Sequence, residues 1–320
     1  MTYMSRRFFH LLLLLLGVSL ISFVFISLAP GNYLDEMRLN PQISPETVAA
    51  LKSQLGLDRS VPVRYWEWLK SLTRGDMGYS FSYNQSAASL IWPRARNTLF
   101  LTVIATMFAW LMAIPIGVWS AERHGRVDDR LISTATGSLL AVPELLIALG
   151  LLWFAARTHV LPTGGMVSLD YDTFSFAGKL KDVSSHLLLP VVALALGMIP
   201  ILVRHIRAAV TEVLRSPFYI AAAGHGIPRR TLLFRYALRA AANPLITLLG
   251  FSIGSLLSAS MLVEVVLGWP GLGPLLLESV LARDLYVVVG SVMLSALFLA
   301  GGSFTADLLL YWHDPRIRAQ

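Results

Sequence analysis

Apolar residues in this chain fall in long uninterrupted blocks rather than alternating with polar ones. Six blocks, at residues 8–29, 98–121, 131–156, 187–203, 243–263 and 285–306, predict membrane-crossing helices, since about 20 helical residues span a hydrocarbon core about 30 Å thick. Five of them contain no Asp, Glu, Lys or Arg, and the third contains only Glu144. The fourth is short, but His186 and the stretch 204–207 can snorkel at its ends. Helices are expected because a lipid-exposed backbone must satisfy its hydrogen bonds internally. The alternating stretches of about ten residues that build a β-barrel are missing. Arg6 and Arg7 before a leucine run resemble a signal peptide, but the apolar run is too long and Ala29-Pro30-Gly31 is a poor cleavage site, so a retained helix is expected. The expected fold is an all-α membrane protein with six transmembrane helices.

Composition sharpens this reading. The 320 residues are 55% hydrophobic and 14% charged, against roughly 25% charged in an ordinary soluble domain. A soluble enzyme, a disordered chain and a small disulfide scaffold are therefore excluded. There is no cysteine, which removes disulfides, thiolate metal sites and cysteine nucleophiles. The net charge of +7 suggests nucleic acid only if it is clustered on a soluble face. It is distributed as topology instead. The N-terminus, 122–130, 204–242 and the C-terminal tail hold 14 Lys/Arg and five carboxylates, whereas 30–97, 157–186 and 264–284 hold 12 of each over many more residues. The first set is expected to be cytoplasmic, with both termini inside, and the nucleic-acid reading falls away.

The chain is expected to comprise a cytoplasmic N-terminus and first helix (1–29), a large extracytoplasmic loop (30–97) and a core (98–320) containing the cytoplasmic loop 204–242. In the external loop, Ser44-Pro45-Glu46 reads as the start of a helix ending at Gly56, with Val48, Leu51 and Leu55 on its apolar face. A second short helix is expected around 64–72, with Trp66 and Trp68 poised for the interface. The loop either docks a soluble partner or caps the bundle.

The loop 204–242 is the most informative stretch. Ser216-Pro217 starts a short helix through Phe218 and Tyr219, Gly226 sits where a left-handed residue ends it, and Ile227-Pro228 restarts a basic helix carrying Arg229, Arg230, Arg235 and Arg239. Its small residues, Ala221, Ala222, Ala223 and Gly224, would let a partner approach the backbone closely. An interfacial membrane helix is the alternative, but this segment has little apolar area to insert, which favours protein docking.

At these residues the sequence resembles the inner-membrane permease subunits of ABC importers. Ala221, Ala222 and Gly226 occupy the alanine and glycine positions of the EAA motif, with Ile220 in place of its glutamate and Arg239 where many members have proline. Those departures are common in the oligopeptide/dipeptide/nickel branch. Gly75-Asp76-Met77-Gly78-Tyr79-Ser80, Leu161-Pro162-Thr163-Gly164-Gly165, Glu264 with Pro270-Gly271-Leu272-Gly273, and Asp307 with Tyr311 and Asp314-Pro315-Arg316 resemble further elements of that branch. The resemblance covers nearly the whole chain, and the order and spacing of the fragments make it specific.

The resemblance implies that 217–226, including Ser216 before it and His225 within it, seats in a cytoplasmic ATPase subunit. It also implies a second homologous permease, two ATPases and an extracytoplasmic binding protein. ATP and magnesium would be bound by the ATPases, leaving this chain without cofactor or catalysis. A longer side chain at Ala222 or Gly226 should loosen docking. Short peptides rank first as cargo, nickel second and other small solutes third. Intramembrane acids are functional candidates by default. Glu144, after Pro143 and about midway along its helix, is the best candidate for a cavity-facing group. Glu264 is expected near the external mouth, bonded to the loop after it, and Asp307 near the cytoplasmic end. Two other classes compete with the importer. An ion-driven secondary transporter would show repeated halves with broken helices, for which Pro115 and Pro143 are the only hints. A membrane enzyme lacks any H-E-x-x-H pair, G-x-S-x-G elbow or phosphate loop.

Overall fold

The computed structural model describes residues 3–28 and 58–313, with Ser44, Glu46, Ser53 and Gly56 between them. Most of the helix expected between Ser44 and Gly56, and the segment Asp314-Pro315-Arg316, lie outside the described residues.

The elements in order are α1 (Tyr3–Leu28), α2 (Val61–Leu72), the two-residue strands β1 (Tyr79–Ser80) and β2 (Gln85–Ser86), α3 (Ala87–Glu122), α4 (Val127–Leu140), α5 (Glu144–Thr158), α6 (Phe176–Leu214) and α7 (Pro217–Gly224). Then come α8 (Arg229–Thr231), a π-helical stretch (Leu232–Ala237), α9 (Leu238–Ala240), α10 (Ala242–Val266), α11 (Leu272–Leu281) and α12 (Leu285–His313). Five helices, α1, α3, α6, α10 and α12, are each long and apolar enough to cross a bilayer.

The remaining expected crossing, 131–156, is not one helix. It divides into α4 and α5, which meet at an angle of 93°. Pro143 explains the break: it lacks the N–H for the next helical bond, its ring would meet the carbonyl four residues back, and it pushes Val142 away from helical angles. Its own φ of −58° and ψ of 138° make it the extended residue before α5. Pro115, by contrast, sits inside a continuous α3. The short fourth block is the middle of α6, whose 39 residues give a rod about 58 Å long.

The chain divides into two compact units, residues 1–98 with 270–298, and 99–269 with 299–320. In the first, α1 meets α2 through buried Phe23, whose ring lies 5.4 Å from Tyr65 and 6.0 Å from Trp68. Ser19 Oγ and Tyr65 Oη are hydrogen-bonded at 2.8 Å. The two tryptophans of α2 part company: Trp66 is exposed, while Trp68 is buried and donates its Nε1–H to Met77 O at 3.0 Å. An indole with a buried partner for its donor is a packing residue rather than an interfacial anchor. Beside this cluster, Ala87, Ile91 and Ala95 at four-residue spacing pack with Leu272, Leu275, Val287 and Leu294.

In the second unit α6 is the central helix, packed by α4, α5 and α10. Leu101, Ala105, Ala109, Ala113 and Gly117 repeat every four residues along α3 and are buried. Small side chains let helix backbones approach closely in a membrane. At Gly117 a Cβ would lie 2.8 Å from Ile206 of α6. The same device joins α10 to the later part of α12. A Cβ on Gly250 would meet Ala306 at 2.5 Å, one on Gly302 would meet Ile253 at 2.5 Å, and one on Gly254 would overlap Leu299.

Candidate functional site

The α7 segment grows directly out of the end of α6. Ser216 has the extended angles of an N-cap (φ −72°, ψ 146°) and Pro217 occupies the first turn, where a missing N–H costs nothing. The Ser216 hydroxyl does not cap the new helix. It donates to Val213 O at 2.5 Å and so ties the turn to the end of α6. None of the eight residues of α7 is buried. Phe218, Ile220, Ala221, Ala223 and Gly224 are exposed, and Tyr219 and Ala222 are half-buried. His225 takes the C-cap position, and Gly226 turns the chain with φ +75°. The expected end at Gly226 thus holds, with the helix itself stopping two residues earlier.

Residues after this turn anchor the segment. In the π-helical stretch, Leu232, Leu233 and Ala237 are buried, and α7 packs against it. Arg229 Nε donates to Glu122 Oε1 at 2.9 Å, joining α8 to the end of α3. Burial and the nearby Glu122 carboxylate push the Tyr219 hydroxyl above the usual phenol range, with Arg229 opposing.

At the same end of this unit lies a clamp that sequence reasoning missed. Asp129 is almost wholly buried. Arg207 of α6 grips it with both arms, Nε to Oδ1 at 2.6 Å and Nη2 to Oδ2 at 2.8 Å. Ser120 Oγ donates to Oδ1 at 2.6 Å and Gly125 N to Oδ2 at 2.8 Å. One carboxylate thereby fastens α3, the turn after it, α4 and α6. The available signal was a short acidic pair, Asp128-Asp129, inside a basic flank.

The intramembrane acids stand on three different helices. Glu144 is not midway along a helix but is the first residue of α5, after the Pro143 break. It is half-buried, and its carboxyl group occupies the space over Gly197 of α6, where a Cβ would lie 2.5 Å from Oε1. Glu264 is fully buried in α10, and its backbone carbonyl accepts from Trp269 N at 2.9 Å. A bond between Glu264 and the following loop is thus present through its backbone carbonyl. That loop meets the Leu161–Gly165 turn: Gly165 N donates to Gly268 O at 3.2 Å, and a Cβ on Gly164 would sit 3.2 Å from Leu267 O. Two fragments a hundred residues apart in the chain are thus stitched together. Asp307 is half-buried in the later part of α12.

The first unit gathers the remaining loop residues. Asp76 Oδ1 accepts from Gly78 N at 2.9 Å, an Asx-type turn. Beyond the turn, Ser80 Oγ donates to buried Asp284 Oδ2 at 2.5 Å, and Ser82 N donates to the same oxygen at 3.3 Å. The Tyr83 hydroxyl donates to Glu278, which pushes its pKa up to about 12. Pro270 O accepts from Asn97 Nδ2 at 2.8 Å, Gly271 precedes α11, and Leu272 N donates to Thr98 Oγ1 at 2.8 Å. Gly273 comes next, buried in the first turn. A cavity of about 350 Å³ opens among Arg64, Glu67, Asp76, Tyr79 and Tyr286. Among the described residues no three His, Asp or Glu side chains gather as a metal site.

Gly78 permits this arrangement twice over. Its φ of +98° is disfavoured for side-chain-bearing residues, and a Cβ would lie 2.7 Å from the Tyr286 ring. Gly78→Ala is expected to destabilise the chain by about 2 kcal/mol, read as a lowered thermal midpoint of the detergent-solubilised protein. Gly75→Ala, also at positive φ (+81°) but with nothing within 4 Å, should lose about half as much. Equal losses would remove the role given to the tyrosine contact.

Comparison with known proteins accounts for these elements together. Residues 113–319 match the family model for the binding-protein-dependent transport system inner membrane component, and residues 1–102 match the model for the N-terminal part of such membrane components. The oligopeptide transport system permease protein AppB of Bacillus subtilis is 33% identical, with 98% of each chain covered. The dipeptide transport system permease protein DppB of Escherichia coli K12 is 31% identical over 95% of this chain and 94% of its own. The nickel import system permease protein NikB of Staphylococcus aureus is 28% identical over 99% and 92%. Among solved structures, a chain of the MetNI methionine ABC transporter in an inward-facing conformation superposes with a TM-score of 0.58 at 15% identity, covering 70% of this chain and 96% of that one, a likeness of fold. With apolar crossings, an exposed helix between α6 and α10, and matches running from end to end, the chain belongs to the inner-membrane permease family of binding-protein-dependent ABC importers, in its oligopeptide, dipeptide and nickel branch.

Proposed function

We propose that this chain forms half of the translocation pathway of an ATP-driven importer of short peptides, paired with a second homologous permease. Two cytoplasmic ATPase subunits, which hold ATP and magnesium, drive it, and an extracytoplasmic binding protein delivers the cargo. The observation that carries this reading is α7: a helix with no buried residue, started by Ser216-Pro217, closed by Gly226 and rooted through Tyr219 and the Glu122–Arg229 pair in the membrane bundle. Such a helix offers its surface to another protein while its base passes displacement to α3 and α6. Both termini and the α7 segment lie on the cytoplasmic side, where the basic flanks belong. The external loop with its Asp76–Gly78 turn, and the 270–273 segment, are available to the binding protein. The position of Glu144 at a helix break supports a part for it on the pathway; the full burial of Glu264 favours a structural part.

The relatives named for oligopeptides and dipeptides support peptide cargo, and the relative named for nickel supports a second reading in which the cargo is nickel. In the absence of native cysteine, a single Ala223→Cys, at an exposed position of α7, makes a clean crosslinking site. Crosslinks from it should reach a nucleotide-hydrolysing subunit, and vesicles carrying the complex with its binding protein should take up labelled di- and tripeptides in a vanadate-sensitive manner. Uptake of nickel instead of peptide would select the second reading. Crosslinks that reach only lipid, with uptake following an ion gradient and no ATPase copurifying, would overturn the importer assignment. A terminal tag accessible from outside would overturn the orientation.

A further inference from the structure

A cavity of about 550 Å³ lies in the second unit, between the last turns of α3 and the π-helical stretch. Its walls are apolar: Leu111, Ile114 and Val118 on one side, Leu233 and Phe234 on the other. Leu111 and Phe234 are about two-thirds exposed (66% and 65%), so the cavity opens sideways from the bundle rather than into its core. Its polar groups are confined to one end, where Glu122, Arg229 and Arg230 stand together. Trp119 borders the same end, half-exposed, with the Arg123 guanidinium 4.4 Å above its ring.

The charge at that end is not balanced. Glu122 is engaged by Arg229 at 2.9 Å, whereas Arg230 is exposed and has no acidic partner among the described residues. One positive charge therefore remains over an apolar slot, at the point where the apolar run of a membrane-crossing helix ends. A soluble anion would match the arginine but leave Leu111, Ile114 and Phe234 bare; an apolar helix from another chain would match the slot but leave the arginine over hydrocarbon. An amphiphile with one negative charge and a hydrocarbon tail matches both. A basic pocket beside membrane helices on the side that the basic flanks mark as cytoplasmic is a recognised setting for anionic lipid headgroups.

We infer that this cavity binds an anionic phospholipid of the inner leaflet, its phosphate on Arg230 and one acyl chain between α3 and the π-helical stretch. The position gives the lipid a consequence. Glu122 and Arg229, which form the rim, also root α7, and π-helical turns are frequent at functional sites. A lipid wedged there stiffens the joint between α3 and the segment that carries α7. The inference requires that α3 cross the membrane and that Arg229–Arg230 face the inner leaflet; it does not depend on what α7 docks against or on the cargo.

The test uses the full importer complex, delipidated in mild detergent and titrated with phosphatidylglycerol or phosphatidylcholine under native mass spectrometry. Phosphatidylglycerol should be retained about fivefold better. Arg230→Glu should abolish that preference, while Arg235→Glu, which lines a separate cavity with Tyr236 and Arg239, should preserve it. Because Arg230 is exposed, its replacement leaves the packing intact. Independently, Phe234→Cys should be labelled by a thiol-reactive phospholipid bearing its reactive group along the acyl chain. Equal retention of the two lipids, or a preference unchanged in Arg230→Glu, would overturn the site. Displacement of the lipid by millimolar glycerol phosphate would point to a soluble anion and overturn it too. So would crosslinking of Phe234→Cys to the second permease in place of lipid.

Discussion

Replacing Asp129 by alanine is expected to destabilise the chain by about 3 kcal/mol. The carboxylate is almost fully buried and accepts four hydrogen bonds from three elements, two of them from Arg207. Its removal leaves the guanidinium without its counter-charge in a half-enclosed position. The figure sits at the lower end of the range for broken buried pairs because Arg207 keeps 29% side-chain exposure, so water recovers part of the loss. Arg207→Ala strands the buried partner instead, since Asp129 keeps only 3% exposure, and should cost more than Asp129→Ala. Arg207→Lys offers no two-armed grip and should recover less than half. Thermal midpoints of the solubilised chain measure this order. The double replacement Asp129→Leu/Arg207→Leu should be more stable than either single alanine variant, since no charge is left unpaired. A double variant as unstable as the sum of the singles would show that the clamp works through packing rather than charge.

Replacing Gly226 by valine is expected to cut transport about tenfold while barely moving the thermal midpoint. At φ +75° a side-chain-bearing residue is disfavoured by about 1–2 kcal/mol, and nothing lies within 4 Å of the added Cβ. The cost is therefore conformational alone. It is relieved by relaxing the turn, which re-aims α7 with little disturbance of the bundle, because no residue of the helix is fully buried. A bias of about 1.4 kcal/mol against the docked direction lowers its population about tenfold. Gly226→Asn, which tolerates left-handed angles, should retain most activity. Uptake by reconstituted complexes, with ATP hydrolysis measured in parallel, reads this. Valine and asparagine variants of equal activity would show that the direction of α7 does not matter.

The parts of the molecule legible in sequence are those governed by local rules. Apolar block length located the long helices, Ser216-Pro217 located the start of α7, and a glycine after it located the turn. The one crossing that differs lies at the edge of those rules. Pro143 was visible, but whether a proline bends or breaks a helix depends on what receives the freed carbonyls. Pro115, Pro190 and Pro200 stay inside helices while Pro143 divides two. Long-range partners were invisible for a different reason. Asp129 looked like one more charge in a flank, and only the fold brings Arg207, 78 residues on, across it. Gly197 carried no signal at all until Glu144 was found lying over it. Trp68 read as an interfacial tryptophan because its spacing from Trp66 could not reveal that Phe23 and a backbone carbonyl awaited it.

The length of α6 has a mechanical meaning. A rod of about 58 Å that rocks by 5° about its middle displaces each tip by about 2.5 Å, comparable to half a helical turn of sliding at the surface where α7 begins. Whatever flex the rod allows is concentrated at Pro190 and Pro200, inside its span. The stretch beyond Pro200, which includes Arg207 and leads into Ser216, can therefore tilt as a stiff end-piece, carrying its grip on Asp129 and the root of α7 with it.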